Sequence, residues 1–223
     1  MKGPRMNHPR PWSRALGALS SAALLALSSG CASHETVGEA ELVSLGPKRL
    51  AFERGFVEGS YASREAEHSF WFSDVPLSAL LAHDAGTPLV DGVFLHAQLI
   101  WLPLPGRTPL DPTATNLVTR VLIVSNGESG LYGGAAFARV DGEPGDESVT
   151  LEIEGGTLTL LEKTDGFVDL LSPVGLEATL TASLRPEEAS RWRRALSQFA
   201  TNAFGRSMWV SAPRENLPAL ATR

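Results

Sequence analysis

The segment 92–102 limits the possible folds most strongly, because it is apolar on both faces. Two sets of residues alternate along it: Val93, Leu95, Ala97, Leu99 and Trp101 on one side, and Phe94, His96, Gln98 and Ile100 on the other. Residues two apart share a face of a strand, so neither face of this segment suits contact with water. The pattern therefore predicts a central strand that is covered on both sides.

Several other segments have the alternation or the β-branched content that is typical of strands. They are residues 68–72, 115–124, 131–140, 149–154, 157–162 and 176–184. An Asn-Gly pair at 126–127 predicts a tight turn, and a Gly-Gly pair at 155–156 predicts a second hairpin. Gly133 and Gly134 lie inside a strand pattern, which indicates a bulge or the close approach of another backbone.

Two segments have helical signals instead. Asp74 and Pro76 suit the start of a short helix near 75–83. Residues 186–203 begin with a proline and carry one apolar stripe at helical spacing. The stripe consists of Trp192, Leu196, Phe199 and Ala203. The sequence predicts an α+β fold: a mostly antiparallel β-sheet, the short helix near 75–83, and a C-terminal amphipathic helix near 186–203 packed on the sheet.

The N-terminus has the pattern of a secretory signal peptide. Residues 1–14 carry four basic side chains and no acidic one, and an apolar run over 15–27 follows. That run is too short to span a hydrocarbon core about 30 Å thick. Small residues then precede Cys31, the single cysteine of the chain. The segment 27–31 resembles the lipobox of bacterial lipoproteins, in which the peptide is cut before the cysteine and its sulfur carries a diacylglycerol.

The resemblance implies lipidation of Cys31 and membrane contact through that lipid. Two or more acyl chains hold a protein stably at a membrane, whereas one chain does so only weakly. Ala32 stands where an aspartate would suggest retention at the inner membrane. We therefore expect a lipid-anchored protein of the bacterial cell envelope, at the outer membrane and facing the periplasm. The alternative is an ordinary secreted protein with an incidental cysteine.

These features predict the domain organisation. Residues 1–30 form the signal peptide, 31–40 the lipidated cysteine and a polar tether, 41–212 a single globular domain, and 213–223 a flexible tail. The whole chain has a net charge of −6. Removal of the four basic residues of the signal peptide makes the mature charge more negative, and such a protein repels nucleic acid. We expect no nucleic-acid partner, but an envelope protein or a small apolar ligand as partner.

A proline-rich loop beside a glycine-rich strand is the best candidate for a binding surface, because binding residues favour loops on a rigid scaffold. The candidate residues are Trp101, Arg107, Asp111, Tyr132 and His96. The favoured alternative is a structural crossover in which Arg107 and Asp111 cap turns.

No motif assigns chemistry to this chain. His68 and His96 lie in strand patterns without zinc-ligand spacing, so we interpret both as hydrogen-bonded structural residues and expect no metal. Residues 127–130 are one residue short of a nucleophile elbow, and no phosphate-binding glycine motif opens a helix. We assign no catalytic residue and no cofactor.

Three functions stay open at this point. The leading hypothesis is a non-enzymatic binding or scaffold domain of an envelope lipoprotein. The second is a carrier of a lipid or another apolar small molecule, with the segment 92–102 lining its cavity. The third is a hydrolase of envelope polymers that uses carboxylates among Asp74, Asp91 and Asp111.

Overall fold

The computed structural model describes residues 36–64, 67–103 and 114–209. These residues lie within one compact unit, His34–Arg223. The strands are β1 (Gly38–Ser44), β2 (Ala51–Phe56), β3 (Glu58–Arg64), β4 (Glu67–Ser73), β5 (Gly92–Leu99), β6 (Leu117–Ser125), β7 (Glu128–Asp141), β8 (Ser148–Lys163) and β9 (Val174–Leu184). The helices are α1 (Leu77–Asp84) and α2 (Pro186–Phe204). This architecture confirms the predicted α+β class.

The strands form one sheet that closes on itself. Their order is β2-β1-β9-β3-β4-β5-β6-β7-β8, and β8 also pairs with β9. The ring therefore runs from β9 through β3 to β8 and back, while β1 and β2 extend it beside β9. β3 meets β9 through two parallel pairs, Ser60 with Ser183 and Tyr61 with Leu184. The other pairings are antiparallel, as the sequence predicts.

β5 is buried on both faces, which confirms the prediction of a central strand. Its residues Val93, Leu95, Ala97 and Leu99 belong to the larger apolar core, inside the closed sheet. On the opposite face Phe94 lies 6.0 Å, between ring centroids, from Trp192 of α2. The strand ends at Leu99 and not at residue 102. Most of the segment 92–102, which was expected to line a carrier's cavity, is therefore buried in the packed sheet, whereas Ile100, Trp101 and Leu102 are exposed.

The two helices lie on the outer face of the sheet and contact each other. α1 is an eight-residue helix that begins after Pro76, and its ring contact with α2 joins His83 to Phe199 at 4.9 Å. α2 buries the predicted stripe residues Trp192, Leu196 and Phe199. It ends at Gly205, which has a φ of 69°, a left-handed conformation that glycine adopts without strain. Both predicted helices are confirmed, with boundaries that differ by at most two residues.

The hairpin predicted at Gly155 and Gly156 is wrong. β8 runs through both glycines as one 16-residue strand. Its pairing with β9 shifts register between Ile153 and Gly156, which is a bulge and not a turn. A bulge bends a strand and increases its twist. The Gly-Gly pair therefore lies at a bend of β8, the strand that closes the sheet by pairing with both β7 and β9.

The start of β1 and the surroundings of Gly134 can also be compared with the predictions. β1 begins at Gly38, opposite Leu180 of β9, so residues 38–40 of the expected tether belong to the sheet. A Cβ atom at Gly134 would lie 2.0 Å from the carbonyl oxygen of Thr157, which confirms the predicted close approach of another backbone. Cys31 and the expected tail 213–223 lie outside the described residues.

Candidate functional site

An aromatic floor forms on the outer face of the sheet, beside α2. Trp71 of β4 is directly opposite His96 of β5, and the two rings stack with centroids 4.0 Å apart at an interplanar angle of 23°. Trp209, which follows α2, places its ring 6.2 Å from each of them. All three residues are buried. The chain segment after α2 therefore returns to the sheet and completes this aromatic cluster.

A small cleft opens above this floor, between α2 and the sheet. α2 contributes Ala189, Ser190 and Arg193. The sheet side, with Trp209, completes the lining through Ala62, Arg64, Glu67, Ser69, Trp71 and His96. We call this space the His96 cleft. Its volume of about 90 Å³ has room for a few water molecules or for one small chemical group of a larger ligand.

His96 is neutral at ordinary pH because of its surroundings. It is 3 % exposed, and its Nε2 lies 2.9 Å from the hydroxyl oxygen of Ser69. Burial, and then the positive charges of Arg120 and Arg193, lower the pKa of His96 to about 3. Desolvation and nearby cations both disfavour the protonated imidazole. The positive charge near the cleft therefore comes from arginines and not from this histidine.

Three arginines surround the cluster and form no ion pair with any described residue. Arg64 and Arg193 line the His96 cleft, and Arg120 lies directly opposite His96 in the β5–β6 pairing. The ion pairs within the described ranges use other arginines. Arg120 is half-buried, and this burial lowers its pKa. The single carboxylate in the lining is that of Glu67, which accepts a hydrogen bond from Gln98 at 3.4 Å.

The indole nitrogen of Trp209 is also without a partner. Among the described residues, no acceptor lies within hydrogen-bond distance of this buried N–H. A buried donor that lacks an acceptor costs about 1–3 kcal/mol, so native proteins seldom leave one unpaired. The residue that closes the His96 cleft thus keeps an unused hydrogen-bond donor.

Of the residues predicted to form a binding surface, the three that the structure describes do not lie together. Tyr132 is 1 % exposed and lies in the core inside the closed sheet, whereas His96 is on the outer face. The Tyr132 hydroxyl donates to Asp169 at 2.8 Å, and burial followed by this hydrogen bond raises the pKa of Tyr132. Trp101 is half-exposed and contacts Phe137 instead. Arg107 and Asp111 lie outside the described residues.

The carboxylates proposed for hydrolysis have structural partners. Asp74 is bonded to Arg54 and also accepts a hydrogen bond from the backbone N–H of Val93 at 2.6 Å. Asp91 accepts from the backbone N–H of Asn126, at the β6–β7 turn. Asp111 lies outside the described residues. In the described part of the chain, Asp74 and Asp91 thus act as turn and strand-end residues.

The two other histidines in the described ranges, His68 and His83, also have local partners. The Nδ1 of His68 lies 2.9 Å from the Ser63 hydroxyl, and burial lowers the pKa of His68. His83 accepts a hydrogen bond from the backbone N–H of Leu89 at 3.1 Å. Over the ranges that the structure describes, no three His, Cys, Asp or Glu side chains are placed to hold a metal ion.

An acidic hollow of about 700 Å³ lies on the outer surface of β1, β2, β8 and β9. Its lining carboxylates belong to Glu39, Glu41, Glu53, Glu152, Glu154 and Glu177. Glu41 is directly opposite both Glu53 and Glu177 in the sheet register. Like charges directly opposite one another are destabilising, so this face is held in place by the apolar core beneath it.

Sequence reasoning missed four residues of the His96 cleft region: Arg64, Arg120, Arg193 and Trp209. Alternation does place Arg120 on one face of β6, but the register that sets it opposite His96 is a tertiary fact. Met208 and Trp209 follow α2 and have no strand pairing. α2 ends at Phe204, and the residues that follow it bring Trp209 back against Trp71 of the sheet, where Trp209 is buried.

No family model, curated protein or solved structure matches this chain. In the described ranges, neither helix is long and apolar enough to cross a membrane.

Proposed function

We propose that this protein is a lipid-anchored binding domain of the bacterial cell envelope, and that its ligand inserts one group into the His96 cleft. The observation that supports the binding role is the combination of an aromatic floor, unpaired arginines and an unused indole donor around one concave space. Pockets with an apolar base and a few convergent polar groups are typical of ligand sites.

The anchoring part of the proposal rests on the sequence alone. The lipobox-like segment ends at Cys31, which lies seven residues before β1 begins at Gly38. In this arrangement a short linker joins the lipid to the folded domain, so the domain stays near the membrane surface. We place the protein at the outer membrane, facing the periplasm, because Ala32 follows the cysteine.

The anchor can be tested separately from the cleft. Expressed in a Gram-negative bacterium, the wild-type protein should fractionate with membranes and carry the added mass of a diacylglycerol on its N-terminal fragment. Cys31→Ser should lose both properties. Membrane association that is unchanged in Cys31→Ser would contradict a lipid anchor at this position.

The binding role is tested by filling the cleft. Ser190 is half-buried on α2 and lines the His96 cleft, so Ser190→Phe places a ring in the space without removing a charge. Gln198→Phe is the matched control, because it adds the same ring at an exposed position of the same helix. Circular dichroism must first show that both variants fold.

The readout is native mass spectrometry of the lipidated protein, extracted gently from the envelope. We expect wild type and Gln198→Phe to release the same additional mass on denaturation, and Ser190→Phe to release none. A mass that Ser190→Phe retains would place the ligand elsewhere. The absence of any bound mass in wild type, even after incubation with an envelope extract, would oppose the binding role.

A further inference from the structure

We infer that the His96 cleft is an oxyanion site, which takes a carboxylate or phosphate group of its ligand and pairs it with Arg193 and Arg64. This inference deepens the proposed function, since it names the chemical class of the ligand for the same cleft. It rests on the positive charge around the cleft, on the hydrogen-bond donors near it and on its volume.

The charge around the cleft is positive in an otherwise negative protein. The chain carries 25 acidic and 19 basic residues, yet Arg64, Arg120 and Arg193 converge here without an ion-pair partner among the described residues. Among the other described arginines, Arg54, Arg139, Arg185 and Arg206 have carboxylate partners, whereas Arg49, Arg191 and Arg194 do not. A concentration of unpaired cations favours entry of an anion.

The nearest acidic side chain does not neutralise this cluster. Glu67 lines the cleft and is opposite Arg64 in the β3–β4 register, but the pair is not within ion-pair distance. Its carboxylate accepts from the Gln98 amide instead. The negative charge of Glu67 repels an anion from its part of the cleft. We therefore expect a bound anion to lie closer to Arg193, next to α2.

Uncharged side chains that can donate hydrogen bonds also line the cleft. Ser190 lines this space, and so does Ser69, whose hydroxyl is also bonded to His96. The ring of Trp209 closes the space, with its indole N–H buried and unpaired among the described residues. A guanidinium group binds carboxylate and phosphate in a fork geometry that a lysine ammonium does not match. Arginines and neutral N–H and O–H donors together are the groups that bind oxyanions.

The volume of the cleft limits the size of the chemical group that it can bind. About 90 Å³ accommodates one carboxylate or phosphate group, while the rest of the ligand must extend outward along α2. Apolar contact with Trp71 suits the first carbon atoms beside that group. A free phosphate ion, a phospholipid headgroup and a carboxylate-bearing solute share this chemistry, so the experiment must separate them.

The test follows the indole N–H resonance of Trp209 by NMR in the full-length protein, assigned with Trp209→Phe. The probes are acetate, inorganic phosphate and a short-chain phosphatidylglycerol, each titrated at a constant ionic strength of about 0.1 M, where the Debye length is about 10 Å. We expect saturable movement of the resonance with at least one probe. The tightest of the three identifies the source: solute carboxylate, free phosphate or phospholipid headgroup.

Two arginine variants make the assignment specific. Arg193→Gln should weaken that binding about tenfold, the effect of losing one charge-assisted hydrogen bond. Arg194→Gln is the matched control, because it removes the same charge from the next residue of α2, which does not line the His96 cleft. Arg194→Gln should bind as wild type does. Arg64→Gln is a second cleft variant with the same expected loss.

Two results of the titrations would overturn the oxyanion site. One is a Trp209 resonance that does not respond to any of the three probes. The other is an equal loss of binding in Arg193→Gln and Arg194→Gln, which would mean that only the net charge matters. A neutral compound released from wild type but not from Ser190→Phe would refute the oxyanion site while leaving the binding role intact. A ligand that Ser190→Phe retains would refute the binding role itself.

Discussion

Arg120 lies directly opposite His96 across the β5–β6 pairing, so a half-buried guanidinium group is held beside a buried imidazole. Arg193 adds a second positive charge from α2, and Arg64 and Glu67 are the other charged groups of the cleft. This arrangement keeps His96 neutral and makes the protein sensitive to acid, because protonation of that ring must occur against burial and two cations.

The first prediction concerns the pH dependence of stability. The pKa of His96 is about 3 in the folded protein, below the ordinary value of 6.5 that applies to the unfolded chain. Between these values the unfolded state binds a proton that the folded state does not. The free energy of unfolding therefore falls as the pH is lowered through this window, by up to about 1.4 kcal/mol per pH unit for this one group.

The variant His96→Phe tests that assignment. It keeps a ring stacked on Trp71 but cannot be protonated, so we expect a smaller loss of stability between pH 6.5 and pH 4 than in wild type. Urea denaturation followed by circular dichroism at several pH values measures the difference. Parallel pH profiles for the two proteins would show that His96 does not contribute to acid sensitivity.

The second prediction compares two adjacent glycines. At Gly134 an added Cβ would lie 2.0 Å from the backbone oxygen of Thr157, whereas at Gly133 it would meet the side chain of Leu161 at 2.5 Å. Backbone of a paired strand cannot give way, but the half-exposed Leu161 can rotate. We expect Gly134→Ala to lower the unfolding free energy by about 3 kcal/mol and Gly133→Ala by about 1 kcal/mol. Equal urea midpoints would contradict this explanation.

The third prediction separates the two interactions of Asp74. Its carboxylate accepts from the backbone N–H of Val93 and also pairs with Arg54, which is 41 % exposed. Asp74→Ala leaves a buried donor unpaired, so we expect a loss of about 2–3 kcal/mol. Arg54→Ala removes an ion pair that is solvent-screened on the arginine side, together with the contact of Arg54 on the Phe52 ring, and should cost less than Asp74→Ala, about 1 kcal/mol. Chemical denaturation of both variants checks the order, and the reverse order would refute it.

The fourth prediction concerns Asn116, a fully buried side chain at the start of β6. Its amide nitrogen donates to the carbonyl of Ala138 at 2.8 Å, and its oxygen accepts from the N–H of the same residue at 2.7 Å. Asn116→Ala breaks both bonds, and we expect a loss of about 2–4 kcal/mol. Asn202→Ala, at an exposed position of α2, is the control and should change stability by less than about 0.5 kcal/mol. Thermal unfolding measures both.

Short sequence patterns predicted much of the secondary structure, because turns and helix faces depend on residues that are close together in the chain. The Asn-Gly turn is one example: Asn126 and Gly127 both adopt positive φ, at 51° and 78°, as a tight hairpin requires. The stripe of α2 is another, since a 3.6-residue period identifies its buried face without knowledge of the partner. The Gly-Gly pair of β8 was misinterpreted because glycine favours a bulge as well as a turn, and only pairing with two neighbouring strands decides between them.

The fold class, the two helices and the central position of β5 follow from the amino-acid sequence alone, because hydrophobic periodicity acts locally. The close approach at Gly134, the closure of the sheet, the separation of Tyr132 from His96 and the aromatic and arginine cluster around His96 depend on the three-dimensional packing. The reason is register: moving a strand by one residue exchanges its two faces, and that choice is fixed by packing across the whole sheet.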